Sequence, residues 1–184
     1  MPGRLCPVWI GYLLVCPVRK WFQNPEKILG PYVEVGMKAL DIGCAMGFFS
    51  LPLARMVGSS GKVICVDVQE KMILSLEKRV RKSRLADRIE TRVCTENSLN
   101  LDDITEEIDF ALACAVVHEV PDVYGFFSDT YKTISPTGRL LLFEPGGHVS
   151  EKDFTATISA ARQNDFQIVE KPKIGRSHAV LLAK

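Results

Sequence analysis

From Met37 onward, short apolar runs alternate with longer stretches whose apolar residues recur at helical spacing, and this alternation restricts the chain to few folds. Residues 38–42 (KALDI), 62–66 (KVICV), 89–94, 108–114 (IDFALAC) and 139–144 (RLLLFE) are short and apolar, rich in β-branched or Leu residues, and read as strands. Between them, 48–57, 70–82 and 123–135 read as helices, the second carrying Met72, Ile73, Leu76 and Val80 on one face. A turn at 135–138 (SPTG) leads into the fifth strand, and 151–164 forms a further helix. Strands that alternate with helices build βαβ units and a parallel sheet. The final runs, 166–171 and 178–183, follow each other with only a short link and predict an antiparallel hairpin at the sheet edge. The expected fold is therefore α/β, a doubly wound, seven-stranded, mostly parallel sheet with a C-terminal antiparallel hairpin.

A chain of 184 residues with 47% hydrophobic and 24% charged content has apolar material for one domain's core and is too apolar for disorder. The net charge of +1 weighs against nucleic acid as a partner. Six cysteines are spread so widely that no CxxC pair exists, which removes a zinc ribbon or a thioredoxin-type motif, and no metal site is expected. Four of them, Cys44, Cys65, Cys94 and Cys114, lie in or just after strand runs and read as reduced packing residues of a cytoplasmic protein. Residues 5–18 (LCPVWIGYLLVCPV) are apolar but contain Pro7 and Pro17, lack a small-x-small cleavage site, and are too short to span a bilayer. They read as a lid packed on the domain, with a membrane-surface contact or a dimer contact as the other readings. Residues 1–36 thus form an N-terminal cap and 37–184 the domain.

The densest local signal is Ala39-Leu40-Asp41-Ile42-Gly43-Cys44-Ala45-Met46-Gly47-Phe48-Phe49. An apolar strand runs into a turn of small residues and then into a helix. Gly43 and Gly47 permit positive φ and a close backbone approach, and the helix N-terminal N–H groups then face a ligand. Asp67 follows Gly47 at the next strand end, the distance at which an acidic residue accepts from a ribose diol. A dinucleotide-binding G-x-G-x-x-G register started at Gly43 would put Phe48 at the close-packing third glycine, which argues against a pyrophosphate turn.

On Asp41, Gly43, Ala45, Gly47 and Asp67, in this strand order, the sequence resembles the class I S-adenosylmethionine-dependent methyltransferases. Its small single-domain type is similar to the methyltransferases of quinone biosynthesis and arsenite methylation. The resemblance implies a Rossmann-like methyltransferase fold with S-adenosyl-L-methionine as cofactor. It gives Asp41 and the backbone from Gly43 to Gly47 the methionine end, Asp67 the ribose hydroxyls and Val68 the adenine face. Glu96, with Asn97 behind it, takes the place of the Asp that usually meets the adenine amino group, and Ala113 lines the pocket. Ala45 stands where the family's middle glycine would be.

In-line transfer from a sulfonium leans on alignment, with a general base needed for weakly acidic acceptors. His118 after the fourth strand and His148 after the fifth are the candidate catalytic residues, and each is equally placed to hold a loop by hydrogen bonds. The [DN]-P-P-[YF] motif of amino-methylating nucleic-acid enzymes is absent, Ala113-Cys114-Ala115-Val116 standing there instead. Lys78, Arg79, Arg81, Lys82, Arg84 and Arg88 read as a solvated helix face rather than an RNA surface. A small-molecule methyl acceptor is the favoured reading, against RNA or protein methylation, thiolate-bound arsenite, or a non-catalytic cofactor- or nucleotide-binding module.

Overall fold

A computed structural model describes residues 19–184, so the apolar run at 5–18, with Cys6 and Cys16, lies outside the described residues. The described chain forms two compact units, residues 19–94 and residues 95–184.

The first unit starts with a turn of helix α1 (Arg19–Phe22) and a short α2 (Pro25–Leu29). Asn24 caps α2 by accepting from Lys27 N–H at 3.1 Å, and Pro25 occupies the first helical position, where no N–H is required. Three parallel strands follow, β1 (Lys38–Ile42), β2 (Lys62–Asp67) and β3 (Ile89–Val93), in the spatial order β3-β2-β1. Residues 39–42 and 63–67 are buried throughout, as expected of parallel strands covered on both faces. The connecting helices are α3 (Ser50–Met56) and α4 (Glu70–Lys82). The latter buries the Met72, Ile73, Leu76 and Val80 face anticipated from the sequence.

The second unit carries β4 (Ile108–Cys114), α5 (Val123–Thr133), β5 (Ile134–Pro145), α6 (Glu151–Gln163), β6 (Gln167–Glu170) and β7 (Ser177–Ala183). β4 and β5 are parallel, while β7 runs antiparallel to both β5 and β6 and lies between them. The expected hairpin is present, with β6 exposed at all four positions and residues 179–182 of β7 buried. Among the described residues seven strands are present, parallel within each unit except for the C-terminal antiparallel pairings, and the α/β class matches the expectation.

One expectation is corrected. The segment 135–138 does not stand apart as a turn, because α5 stops at Thr133 and β5 begins at Ile134. The strand instead bulges, with Ile108 opposite Ile134 and Phe110 opposite Arg139. Ser135 precedes Pro136 and is steered away from helix. Gly138 sits so near Ile108 O that a Cβ would lie 2.5 Å from it, so only glycine permits the bulge.

Candidate functional site

In the first unit the loop between β1 and α3 takes a left-handed turn at every second residue. Gly43, Ala45 and Gly47 have φ of 69°, 46° and 83°. The start of the loop is tied to β2, since Gly43 N–H and Cys44 N–H both donate to Val66 O, at 2.9 and 3.1 Å. A Cβ on Gly47 would lie 2.3 Å from Leu76 Cδ1, so the bare glycine is what lets α4 close on the loop. The Arg79 guanidinium of α4 also donates to Met46 O. Ala45 accepts its left-handed conformation because its N–H is held by Asp67 Oδ2 at 2.9 Å. Asp67 Oδ1 receives Gln69 N–H at 2.8 Å, so each carboxylate oxygen holds one backbone donor and keeps acceptor capacity for another.

Asp41, next to last in β1, is buried at 3% exposure, with Ser50 O–H donating to its Oδ2 at 2.5 Å. Burial pushes its carboxyl up from 3.8 to about 7; the Ser50 bond opposes this and the Asp67 charge adds to it. Asp67 is also raised by burial, against the two backbone bonds that favour its charged form. Val68 is partly exposed beside it. Burial likewise pushes the Cys94 thiol up to about 12 and raises the Cys44 thiol. The described cysteines form no disulfide, and buried thiols held protonated, as at Cys44 and Cys94, behave as packing residues. Among the described residues no group of three or more His, Cys, Asp or Glu is arranged to hold a metal ion.

In the second unit, Glu96 and Asn97 lie exposed on a turn closed by Thr95 N–H donating to Ser98 O at 2.9 Å. Ala113 is fully buried near the end of β4, opposite Leu142 of β5. Beyond Cys114 the chain turns at Ala115, with φ of 56° and its N–H bonded to Phe143 O at 2.9 Å, into a single 3-10 turn over Val117–Glu119. That turn sets His118 beside Glu144 of β5. Glu144 is 1% exposed and receives Val117 N–H at 2.8 Å, His118 N–H at 3.3 Å and His118 Nδ1 at 2.7 Å.

The two candidate histidines therefore differ. His118 is raised from its ordinary value, chiefly by the Glu144 hydrogen bond and further by the charges of Glu144 and Glu119, with burial opposing. His148 lies exposed in the loop after β5, and its backbone N–H bonds to Pro145 O at 2.9 Å. His178 stacks on Phe154, with ring centroids 5.5 Å apart. Glu144 was not singled out from the sequence. Its signal was an acidic residue near the end of an otherwise apolar strand, the same signal that marked Asp41.

A family model described as "Methyltransferase domain" matches residues 34–176. The demethylmenaquinone methyltransferase of Geobacillus sp. (strain WCH70) is 26% identical over 68% of this chain and 51% of its own length. The ubiquinone biosynthesis O-methyltransferase of Bradyrhizobium diazoefficiens is 31% identical over 76% of this chain and 51% of its own. The chain thus spans about half the length of these curated relatives. Among solved structures, a SAM-dependent methyltransferase from Aquifex aeolicus superposes with a TM-score of 0.86 at 23% identity, covering 96% of this chain and 98% of that one. No helix among the described residues is long and apolar enough to cross a membrane.

Proposed function

The chain belongs to the methyltransferase-domain family, and on that premise we propose that it is an S-adenosyl-L-methionine-dependent methyltransferase acting on a small-molecule acceptor. The observation that carries this reading is the loop from Gly43 to Gly47, turned left-handed at alternate residues and laced to Asp67 through Ala45 N–H. With several of its own N–H groups already bonded within the protein, such a loop offers a ligand close approach to backbone that side chains would otherwise hold away. The Asp67 carboxylate uses two of its roughly four acceptor positions on backbone, which leaves acceptors for the two hydroxyls of a ribose. The residues fit the cofactor.

Asp41 and the backbone of residues 43–47 hold the methionine end, Val68 packs on the adenine face, and Glu96 with Asn97 meets the adenine amino group. Ala113 lines the pocket wall. When bound, the cofactor supplies an activated methyl group on a sulfonium sulfur. The chain's own contribution is to orient that group, exclude water and accept a proton where the acceptor must lose one, with His118 and His148 as the candidate groups. Residues 37–184 form the methyltransferase domain of this reading, and residues 1–18 of the expected cap lie outside the described residues. The names of the curated relatives favour an acceptor of the quinone-precursor class over a macromolecule.

Isothermal titration of the protein with S-adenosylmethionine tests the reading. Binding is expected, with Asp67→Ala weakening it at least about tenfold, the loss of a charge-assisted hydrogen bond. No binding at millimolar ligand would sink the proposal. Binding without transfer to any of a quinol, a thiol or arsenite would favour a non-catalytic module instead.

A further inference from the structure

The His118–Glu144 pair has the geometry of an oriented base. Glu144 is acceptor-only when ionised, and it is engaged by two backbone N–H groups and by the His118 ring, all from the turn after β4. The 2.7 Å contact to Nδ1 makes Nδ1 the protonated nitrogen of the neutral ring, which leaves the lone pair on Nε2. Nε2 has Glu119 Oε1 at 3.9 Å, beyond hydrogen-bond reach. The side chain is 29% exposed while that of Glu144 is 1% exposed, so one member of the pair is reachable and the other is locked. Among the described residues the charged groups facing the ring are Glu144 and Glu119; His178 is opposite Glu144 in the β5–β7 register and stacks on Phe154.

We propose that His118 Nε2 takes the proton of an acceptor hydroxyl of the phenol or quinol class during methyl transfer, with Glu144 as the positioning residue that fixes the ring. The proposal rests on the methyltransferase reading above. The acceptor O–H bond breaks and its proton forms the Nε2–H bond. The oxygen forms the new bond to the methyl carbon, and the S–CH3 bond breaks with its electron pair left on sulfur. The positive charge lost from the sulfonium reappears on the imidazolium, where the Glu144 carboxylate stabilises it. No further reactant is required.

Glu144→Gln separates orientation from folding. Its side-chain oxygen still accepts from Val117 and His118 N–H, but its amide donates to Nδ1 and drives the ring proton onto Nε2. Long-range 1H–15N NMR on the histidine-labelled full chain reads the tautomer directly, with only three histidines to assign. The wild type is expected as the Nδ1–H tautomer and Glu144→Gln as the Nε2–H tautomer. Transfer to 1,4-hydroquinone is expected to fall about 100-fold or more in both Glu144→Gln and His118→Gln. Calorimetric affinity for S-adenosylmethionine should be unchanged, and Glu144→Asp should restore part of the rate. A wild-type Nε2–H tautomer, full-rate transfer by His118→Gln, or transfer confined to a thiol or arsenite overturns the proposal. His118→Gln sits on an exposed turn and keeps the test open if Glu144→Gln does not fold. Failure of the wild type to bind S-adenosylmethionine would instead overturn the methyltransferase reading, and the proton-transfer role with it, while the tautomer result would stand as a property of the pair.

Discussion

Replacing Asp41 by asparagine should change how stability depends on pH. Asp41 is buried and its carboxyl titrates at about 7 instead of 3.8, with burial as the largest cause. A carboxyl raised in the folded state is protonated there while the unfolded chain has already released the proton. Its contribution to stability is therefore fully present below pH 3.8, falls as pH rises, and levels off above about 7. At about 1.36 kcal/mol per pKa unit, the loss between pH 5 and pH 8 comes to roughly 2 to 3 kcal/mol. The amide of Asp41→Asn stays neutral throughout that range, and its side-chain oxygen can still accept from Ser50 O–H. Asp67 and His118 are both raised and tilt the curve the same way, but they are common to both proteins. The His118 slope cancels in the difference, and the Asp67 slope does so apart from its coupling to Asp41. With a urea m-value near 2 to 3 kcal/mol/M for a chain of this size, the gap between the two midpoints should widen by about 1 M from pH 5 to pH 8. Urea unfolding at both pH values checks this, and parallel curves for the two proteins would refute the assignment of a buried, protonated Asp41.

Three further substitutions probe the loops. Gly47→Ala forces a Cβ to 2.3 Å from Leu76 Cδ1 at φ of 83°, and should cost about 2 to 3 kcal/mol in urea unfolding while lowering cofactor affinity; a neutral outcome would mean that α4 does not clamp the loop. Ala45→Gly relieves a left-handed alanine at φ of 46° and should stabilise by about 0.5 to 1 kcal/mol in the same assay, with any loss of stability contradicting the strain. Ser135 Oγ is buried with no hydrogen-bond partner among the described residues, so Ser135→Ala should raise stability by about 1 kcal/mol; a destabilised variant in thermal melts would show that the hydroxyl is satisfied.

The order of the elements was legible because it rests on local patterning. The Met72, Ile73, Leu76, Val80 stripe allows only a helix with one buried face, and α4 spans the residues expected. The 135–138 segment was misread because its turn composition was clear, but the approach of Gly138 to Ile108 O, which keeps it within the strand, lies between distant segments. Glu96 and Asn97 rest on the family resemblance; the structure places them on an exposed turn.

The sequence by itself determined the α/β class and the glycine loop, because periodicity and the need for positive φ are properties of neighbouring residues. It also marked Asp67 by its spacing from that loop. Tertiary structure alone decided which acidic groups carry a proton and which histidine has a partner. Asp41 is raised because packing removes its water, which no local pattern encodes. His118 and His148 are alike as strand-end histidines, yet among the described residues only His118 meets a buried carboxylate. That carboxylate is Glu144, brought beside it by the pairing of β4 with β5 and not by nearness in the chain.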